Sequence, residues 1–153
     1  MIRRIALLFL TVAFVAVAAN PPDFSGTWVF NAGKSKNIGM MASAEYTSTI
    51  TQTPKVLTVD DVTVFSGQKQ THQTRYDLTG AIVPNDSPMG EKSQTNSHWA
   101  GNKLVTSWES ESAVAGTKVV RTETRYLSDD GKTLFLESGR AGKEPMVIVF
   151  DRK

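Results

Sequence analysis

Several residue types and patterns are missing from this 153-residue sequence, and each absence excludes a class of protein. It contains no cysteine, which excludes disulfide bonds, thiolate chemistry and a lipid-modified N-terminal cysteine. Its two histidines, His72 and His98, are far apart, and no His/Asp/Glu cluster has the short spacing of a metal site. No serine lies in a Gly-x-Ser-x-Gly context. The sequence therefore predicts no catalytic residues, no metal site and no cofactor.

The N-terminal segment has the three parts of a secretory signal peptide. Arg3 and Arg4 precede an apolar run from Ile5 to Val15, and small residues follow, with Ala18 and Ala19 at a suitable cleavage site. The run is shorter than the roughly 20 apolar residues of a membrane-spanning helix. We expect residues 1–19 to be a helical, cleaved signal peptide, and residues 20–153 to form one secreted or periplasmic domain with no membrane anchor after cleavage.

Long runs of like charge are also absent, and this bears on the partners of the protein. The full sequence has 17 Lys+Arg and 15 Asp+Glu, so removal of Arg3 and Arg4 with the signal peptide leaves 15 of each. Aromatic residues are not interleaved with basic clusters. Nucleic-acid binding needs several phosphate contacts on one basic face, so the sequence indicates no nucleic-acid partner.

Beyond residue 19 no stretch shows a convincing helical stripe, and the sequence reads as strands. Threonine and valine alternate with polar residues, and glycine and proline separate the runs. The pattern predicts an all-β fold, an antiparallel meander of about 8–10 strands that closes into a barrel or forms a sandwich. Nine strands are predicted, at residues 25–30, 45–53, 55–65, 68–78, 92–99, 103–110, 117–127, 132–139 and 145–152.

Two stretches interrupt the strand pattern and are predicted to be loops. Residues 31–44 contain two glycines, with one short helical turn expected at 40–44, and residues 79–91 contain two prolines and two glycines. Long loops on a β scaffold often contain binding residues, although many are tolerated insertions.

The alternation of side chains along two strands raises the question of which face is inside. The sequence Thr-Arg-Tyr occurs in both, as Thr74-Arg75-Tyr76 and as Thr124-Arg125-Tyr126. The simplest interpretation places the Arg/Glu/Asp faces in solvent and the Thr/Tyr faces inside. That interior would be unusually polar for a packed core, which suggests a hydrated or ligand-holding interior, with a true cavity and a filled interior both left open.

The opening stretch Phe24-Ser25-Gly26-Thr27-Trp28 resembles the G-x-W signature of the calycins, which include the lipocalins and fatty-acid-binding proteins. With Asn31 and Lys34-Ser35 it is similar to a group of small secreted bacterial lipocalin-like proteins whose function is mostly unassigned. The resemblance implies a ligand barrel in which Gly26 lets the backbone pass closely and Trp28 plugs the floor. It also implies that Arg152, on the last strand, stacks on Trp28.

Three functional hypotheses follow from these features. The first is a small-molecule-binding barrel for an apolar or amphipathic ligand; Arg75, Arg121 or Arg125 could meet a carboxylate if their face turns inward. The second is a structural or interaction module with a filled interior. The third is an enzyme, or a haem protein with His72 or His98 as axial ligand. We favour the first, and the residues expected to line its site are Thr74, Tyr76, Trp108, Thr124, Arg125 and Tyr126.

Overall fold

The structure is a computed structural model, and it describes residues 20–87 and 90–153. The predicted signal peptide at 1–19 lies outside the described residues. Within the described ranges, no helix is long and apolar enough to cross a membrane. The strands are β1 (Gly26–Phe30), β2 (Glu45–Gln52), β3 (Val56–Phe65), β4 (Gln68–Asp77), β5 (Ile82–Asp86), β6 (Lys92–Ala100), β7 (Lys103–Glu111), β8 (Lys118–Leu127), β9 (Thr133–Gly139) and β10 (Met146–Arg152).

All ten strands belong to one antiparallel sheet in the order β4-β3-β2-β1-β10-β9-β8-β7-β6-β5. The first strand pairs with the last, in a register that sets Trp28 opposite Arg152. The sheet curls until its two edge strands, β4 and β5, face each other, so the barrel is closed except at this one seam. The all-β barrel predicted from strand spacing is confirmed.

The barrel has two ends, which differ in what covers them. The base is formed by residues 20–25, the connections 53–55, 78–81, 101–102 and 128–132, and the C-terminus. The upper end is formed by the connections 31–44, 66–67, 112–117 and 140–145 and by residues 87 and 90–91 between β5 and β6. Residues 31–44 contain two short 3-10 helices, Ala32–Lys34 and Gly39–Ser43, where the sequence predicted a loop with one helical turn.

One predicted loop contains a strand. Residues 79–91 were expected to be irregular because of their prolines and glycines, but Ile82–Asp86 forms β5. Its proline, Pro84, lies opposite Gln94 of β6. Proline lacks an N–H group and is therefore tolerated at a sheet edge, where one side of the strand has no partner. β5 is such an edge, which explains why a proline-containing run still forms a strand.

The base is packed around Trp28, whose side chain is fully buried. Its Nε1 donates to the Phe24 carbonyl at 2.9 Å, and the guanidinium of Arg152 lies 4.2 Å from its ring centroid. Gly26 has a φ of +138°, and a Cβ at that position would lie 2.8 Å from Arg152 Nη1. A side chain at residue 26 would therefore displace the arginine from the tryptophan ring. The packing shows why this local sequence needs glycine two residues before Trp28.

Candidate functional site

The barrel interior is lined by alternate residues of each strand, and their burial shows which face is inside. On β3 the buried side chains are Leu57 and Val59, and on β4 they are Thr74 and Tyr76. By the period of two, Asp61 and His72 lie on the same inward faces. Arg75 is exposed on the outer face of β4, so it does not line the interior.

On β8 the inward face is the charged one, which corrects the simplest interpretation of its sequence. Glu123 and Arg125 are 7% and 4% exposed, and Arg121 shares their face. Thr124 and Tyr126 therefore lie on the outer face and cannot line an interior site. The Tyr126 ring stacks on Phe135 at 4.9 Å there.

Tyr76 explains how charged groups are accommodated inside the barrel, because it contacts both of them. Arg125 Nη2 donates to Glu123 Oε1 at 3.2 Å, and the Tyr76 hydroxyl donates to the same oxygen at 2.9 Å. The Arg125 guanidinium also lies 4.9 Å from the Tyr76 ring centroid. Burial, together with the negative charge of Glu123, raises the pKa of Tyr76 well above its ordinary value. Tyr76 is therefore a neutral hydrogen-bond donor at any physiological pH.

Arg125 remains a cation although it is buried. Burial alone would lower the pKa of its guanidinium, but Tyr76, Glu123 and Asp61 together raise it above the ordinary value. Arginine is in any case hard to deprotonate, because its charge is delocalised over the guanidinium. The interior thus contains a permanent positive charge with a carboxylate partner at one of its nitrogens.

A second arginine lies next to this group through Trp108. The Trp108 ring meets the Tyr76 ring edge to face at 6.0 Å, and Arg121 lies 5.1 Å from the Trp108 centroid. Trp108 and Arg121 are directly opposite each other in the β7–β8 ladder. Arg125, Tyr76, Trp108 and Arg121 therefore form one continuous run of side chains, which we call the arginine wall.

An acid–imidazole pair lies on the opposing β2–β4 part of the interior. Asp61 and His72 are directly opposite each other in the β3–β4 ladder, and Ser48 of β2 is opposite Asp61. Burial raises the pKa of Asp61 above its ordinary value, while the nearby Ser48 and Tyr46 hydroxyls and the charge of Arg125 oppose this rise. Burial and the Asp61 carboxylate raise the pKa of Tyr46 well above its ordinary value. We call Asp61 and His72 the Asp–His pair.

Five buried polar side-chain atoms in residues 20–87 and 90–153 have no hydrogen-bond partner, and all five belong to these two groups. A buried polar group without a partner costs about 1–3 kcal/mol, so most such groups in proteins are paired with protein, water or ligand. Their convergence on one interior identifies it as the place where a polar molecule would be stabilised. The five atoms are Arg125 Nη1, Arg121 Nε, Trp108 Nε1, Asp61 Oδ1 and His72 Nε2.

The remaining interior polar side chains are hydroxyls, and they are satisfied locally or lie beside the two groups. Ser97 and Thr106 share a hydrogen bond of 2.9 Å, and Thr95 donates to the Val83 carbonyl at 3.1 Å. Thr74 is buried beside Tyr76 on β4. The hydroxyl-rich, polar interior predicted from strand composition is therefore present, but the simplest interpretation had expected the face of β8 that carries Glu123 in solvent.

Of the predicted site residues, Thr74, Tyr76, Trp108 and Arg125 come together inside the barrel, whereas Thr124 and Tyr126 do not. Sequence reasoning missed Glu123, Asp61 and His72 as members of one site. The signal that could have found Asp61 is its position on the same face as Leu57 and Val59, both apolar. His98 is exposed on the outer face of β6, so it could not ligate a group held inside.

Two of the surface depressions in the described part of the chain lie at the ends of the barrel. One, of about 320 Å³, lies at the upper end between β5, β6 and β7 and includes Ser93 and Ser110. The other, of about 380 Å³, lies at the base beside Gln52, Leu78 and Trp99. Among the described residues, no group of three or more His, Asp or Glu side chains could hold a metal ion.

No family model and no curated protein sequence matches this chain. Solved structures do match its fold. Human cRBP IV has 19% identity, covers 87% of this chain and all of its own, and superposes with a TM-score of 0.66. Apo lipid binding protein 8 of Caenorhabditis elegans has 10% identity, with 85% and 95% covered and a TM-score of 0.67.

A third similar structure is the Schistosoma mansoni fatty acid binding protein in complex with arachidonic acid, with 14% identity and a TM-score of 0.61. It covers 85% of this chain and 96% of its own. At these identities the comparisons establish the fold, a calycin-type β-barrel, and this confirms the coarser part of the resemblance drawn from Gly26 and Trp28.

Proposed function

We propose that the protein is an exported carrier, without catalytic activity, that binds a small amphipathic acid inside its barrel. The observation that supports this proposal is the set of buried donors without partners along the arginine wall. Barrels of this fold that are named as fatty-acid- or lipid-binding proteins include the Schistosoma and Caenorhabditis proteins. Export, to the periplasm or the medium, is supported by the signal-peptide pattern of residues 1–19.

The arginine wall fits a carboxylate head group. Arg125 Nη1, Arg121 Nε and Trp108 Nε1 are all hydrogen-bond donors, and two of them belong to cations. A carboxylate has two oxygens that accept several hydrogen bonds, and charge-assisted bonds to arginine are about twice as strong as neutral ones. The apolar side chains of β9 and β10, Leu136 and Ile148 among them, are buried on the same interior and suit an alkyl chain.

The first test is native mass spectrometry of the protein purified from the cells that produce it. The proposal predicts excess mass in a fixed ratio to protein, lost on denaturation, and equal to that of an organic acid. The N-terminal residue of the same sample reports whether a signal peptide was removed. A protein of clean mass that also fails to bind added fatty acids in solution would contradict the proposal.

A pair of arginine variants tests the head-group site. Arg121→Leu removes a donor of the arginine wall without breaking the Arg125–Glu123 pair, and it should weaken the binding of a fatty acid by about tenfold or more. Arg75→Leu, on the exposed outer face of β4, is the matched control and should leave affinity unchanged. Equal losses in both variants would point to a general charge effect instead of a contact.

A second candidate function, an interaction module with a filled interior, is favoured by one observation. The buried apolar side chains of the interior pack together as one cluster that includes Trp28, Leu57 and Phe150. The same mass measurement distinguishes the two candidates, because a filled module would co-purify with a protein partner and with no small molecule.

A further inference from the structure

The Asp–His pair has no role in binding a carboxylate, and its position suggests a second requirement on the ligand. Asp61 Oδ1 is an acceptor, and a carboxylate head group placed against it would be repelled. The pair lies on the β3–β4 part of the interior, whereas the arginines lie on β8. A ligand that satisfies all five unpartnered atoms therefore needs a second polar group besides its carboxylate.

The positions of Asp61 and His72 restrict which polar group of the ligand can contact them. Residues directly opposite in an antiparallel ladder have Cβ atoms roughly 4.5–5.5 Å apart, so one small polar group can contact both side chains. Asp61 Oδ1 requires a donor. His72 Nε2 is an acceptor or a donor, depending on which ring nitrogen holds the proton.

A hydroxyl group fits both partners in the tautomer of the histidine that has its proton on Nε2, because one O–H donates a single bond and its oxygen accepts two. When His72 Nε2 holds the proton, the hydroxyl donates to Asp61 and accepts from His72. An ammonium group has no acceptor and is excluded in that tautomer, and a second carboxylate would be repelled by Asp61. Of a hydroxyl, an ammonium and a second carboxylate, only the hydroxyl satisfies both atoms in that tautomer.

We propose that the barrel selects hydroxylated amphipathic acids, with the carboxylate on the arginine wall and a chain hydroxyl on the Asp–His pair. This inference rests on the proposed function and narrows its ligand class. Selection follows because an acid without the hydroxyl leaves the buried Asp61 oxygen without a partner.

The test compares octadecanoic acid with a set of its monohydroxy derivatives that differ in hydroxyl position, titrated calorimetrically into lipid-stripped protein from its producing cells. At least one derivative should bind about tenfold or more tightly than octadecanoic acid. Asp61→Ala should reduce that preference to about one while octadecanoic acid still binds. Asp60→Ala is the matched control, because its exposed side chain bonds to Gln73 on the outer face and should leave the preference intact.

Every outcome of this experiment separates the two proposals. Equal affinity for octadecanoic acid and all derivatives would overturn the inference, assign the Asp–His pair to bound water, and leave the carrier proposal standing. Failure of every acid to bind would overturn the carrier proposal and the inference with it. If Asp61→Ala does not fold by circular dichroism, His72→Phe replaces it, and a preference that survives His72→Phe also overturns the inference.

Discussion

Arg125, a residue only 4% exposed, places a full positive charge in the barrel interior. Its carboxylate partner, Glu123, is two residues away on the same strand and face. Such buried pairs add little net stability, because the cost of removing two charges from water is similar to what their attraction returns. Removing one partner alone is different, since the other is then left buried and unpaired.

We therefore predict that Arg125→Met lowers the free energy of unfolding by about 3–5 kcal/mol. The double variant Glu123→Leu with Arg125→Met should lose markedly less than Arg125→Met alone, because it leaves no unpaired charge. Urea unfolding monitored by tryptophan fluorescence measures both values. A double variant as unstable as the single one would show that the loss in Arg125→Met does not come from the unpaired charge of Glu123.

The residues around Arg125 also show the limit of sequence reasoning at this scale. Thr74-Arg75-Tyr76 and Thr124-Arg125-Tyr126 are the same three residues on two strands, yet Tyr76 is buried and Tyr126 is on the outer face. The local pattern is identical, so only the partners across the sheet differ. Arg125 is stabilised inside by Tyr76 and Glu123. Tyr76 is far from it in the sequence, and Glu123 is charged, so neither residue marks this face as buried in the sequence pattern.

Among the strands, β5 is a short edge strand with few pairing interactions in the sheet. It pairs with β6 only, and its other edge faces β4 across the seam. The side chain of Asn85 crosses this seam: its Oδ1 accepts from the Arg75 N–H at 3.2 Å and its Nδ2 donates to the Arg75 carbonyl at 2.9 Å. One amide side chain thus takes the place of a pair of ladder bonds between β4 and β5.

Asn85→Ala should open the seam locally while the rest of the sheet stays paired. We expect the Arg75 amide to exchange with deuterium about tenfold faster, which corresponds to about 1.4 kcal/mol, because its acceptor is removed. Amides of β9 should keep their protection. Asp86→Ala is the control, since its exposed side chain pairs with Lys92 outside the seam. Faster exchange throughout the barrel would mean global destabilisation instead of local opening.

The strands themselves could be predicted because nine of them show β-branched periodicity between glycine or proline breaks, and each appears within a residue or two of its predicted bounds. β5 could not, because its five residues contain Pro84 and its stability depends on β6 and on the Asn85 bridge. The charged face of β8 points inward because of partners on other strands, which the sequence of β8 alone does not reveal. The local sequence therefore predicts which residues form strands, but it does not predict which face of a strand is inside or which residues share a site.

The stability of the whole molecule depends on pH through four carboxyl groups with lowered pKa values and one with a raised pKa, and the two effects oppose each other. Asp23, Asp77, Asp130 and Asp151 have pKa values lowered, chiefly by hydrogen bonds from their neighbours, so the stability they contribute is present above their ordinary value of 3.8 and lost as pH falls below it. Asp61 is the opposite case. Burial raises its pKa, so its ionised form opposes folding, and protonation favours the folded state.

The raised pKa of Asp61 predicts a change of stability with pH that is opposite in direction to that of the surface carboxylates. Without ligand, Asp61→Asn should stabilise the protein at pH 7 by up to about 1 kcal/mol. This gain should fade as pH falls through the raised pKa of Asp61 towards 3.8, because the wild-type carboxyl is then protonated as well. Urea unfolding of lipid-stripped protein between pH 7 and 4 measures the difference, with Asp60→Asn as the exposed control that should show none. A gain that is constant between pH 7 and 4 would contradict this prediction, because it would mean that the pKa of Asp61 is the same in the folded and unfolded chains and that burial does not oppose its ionised form.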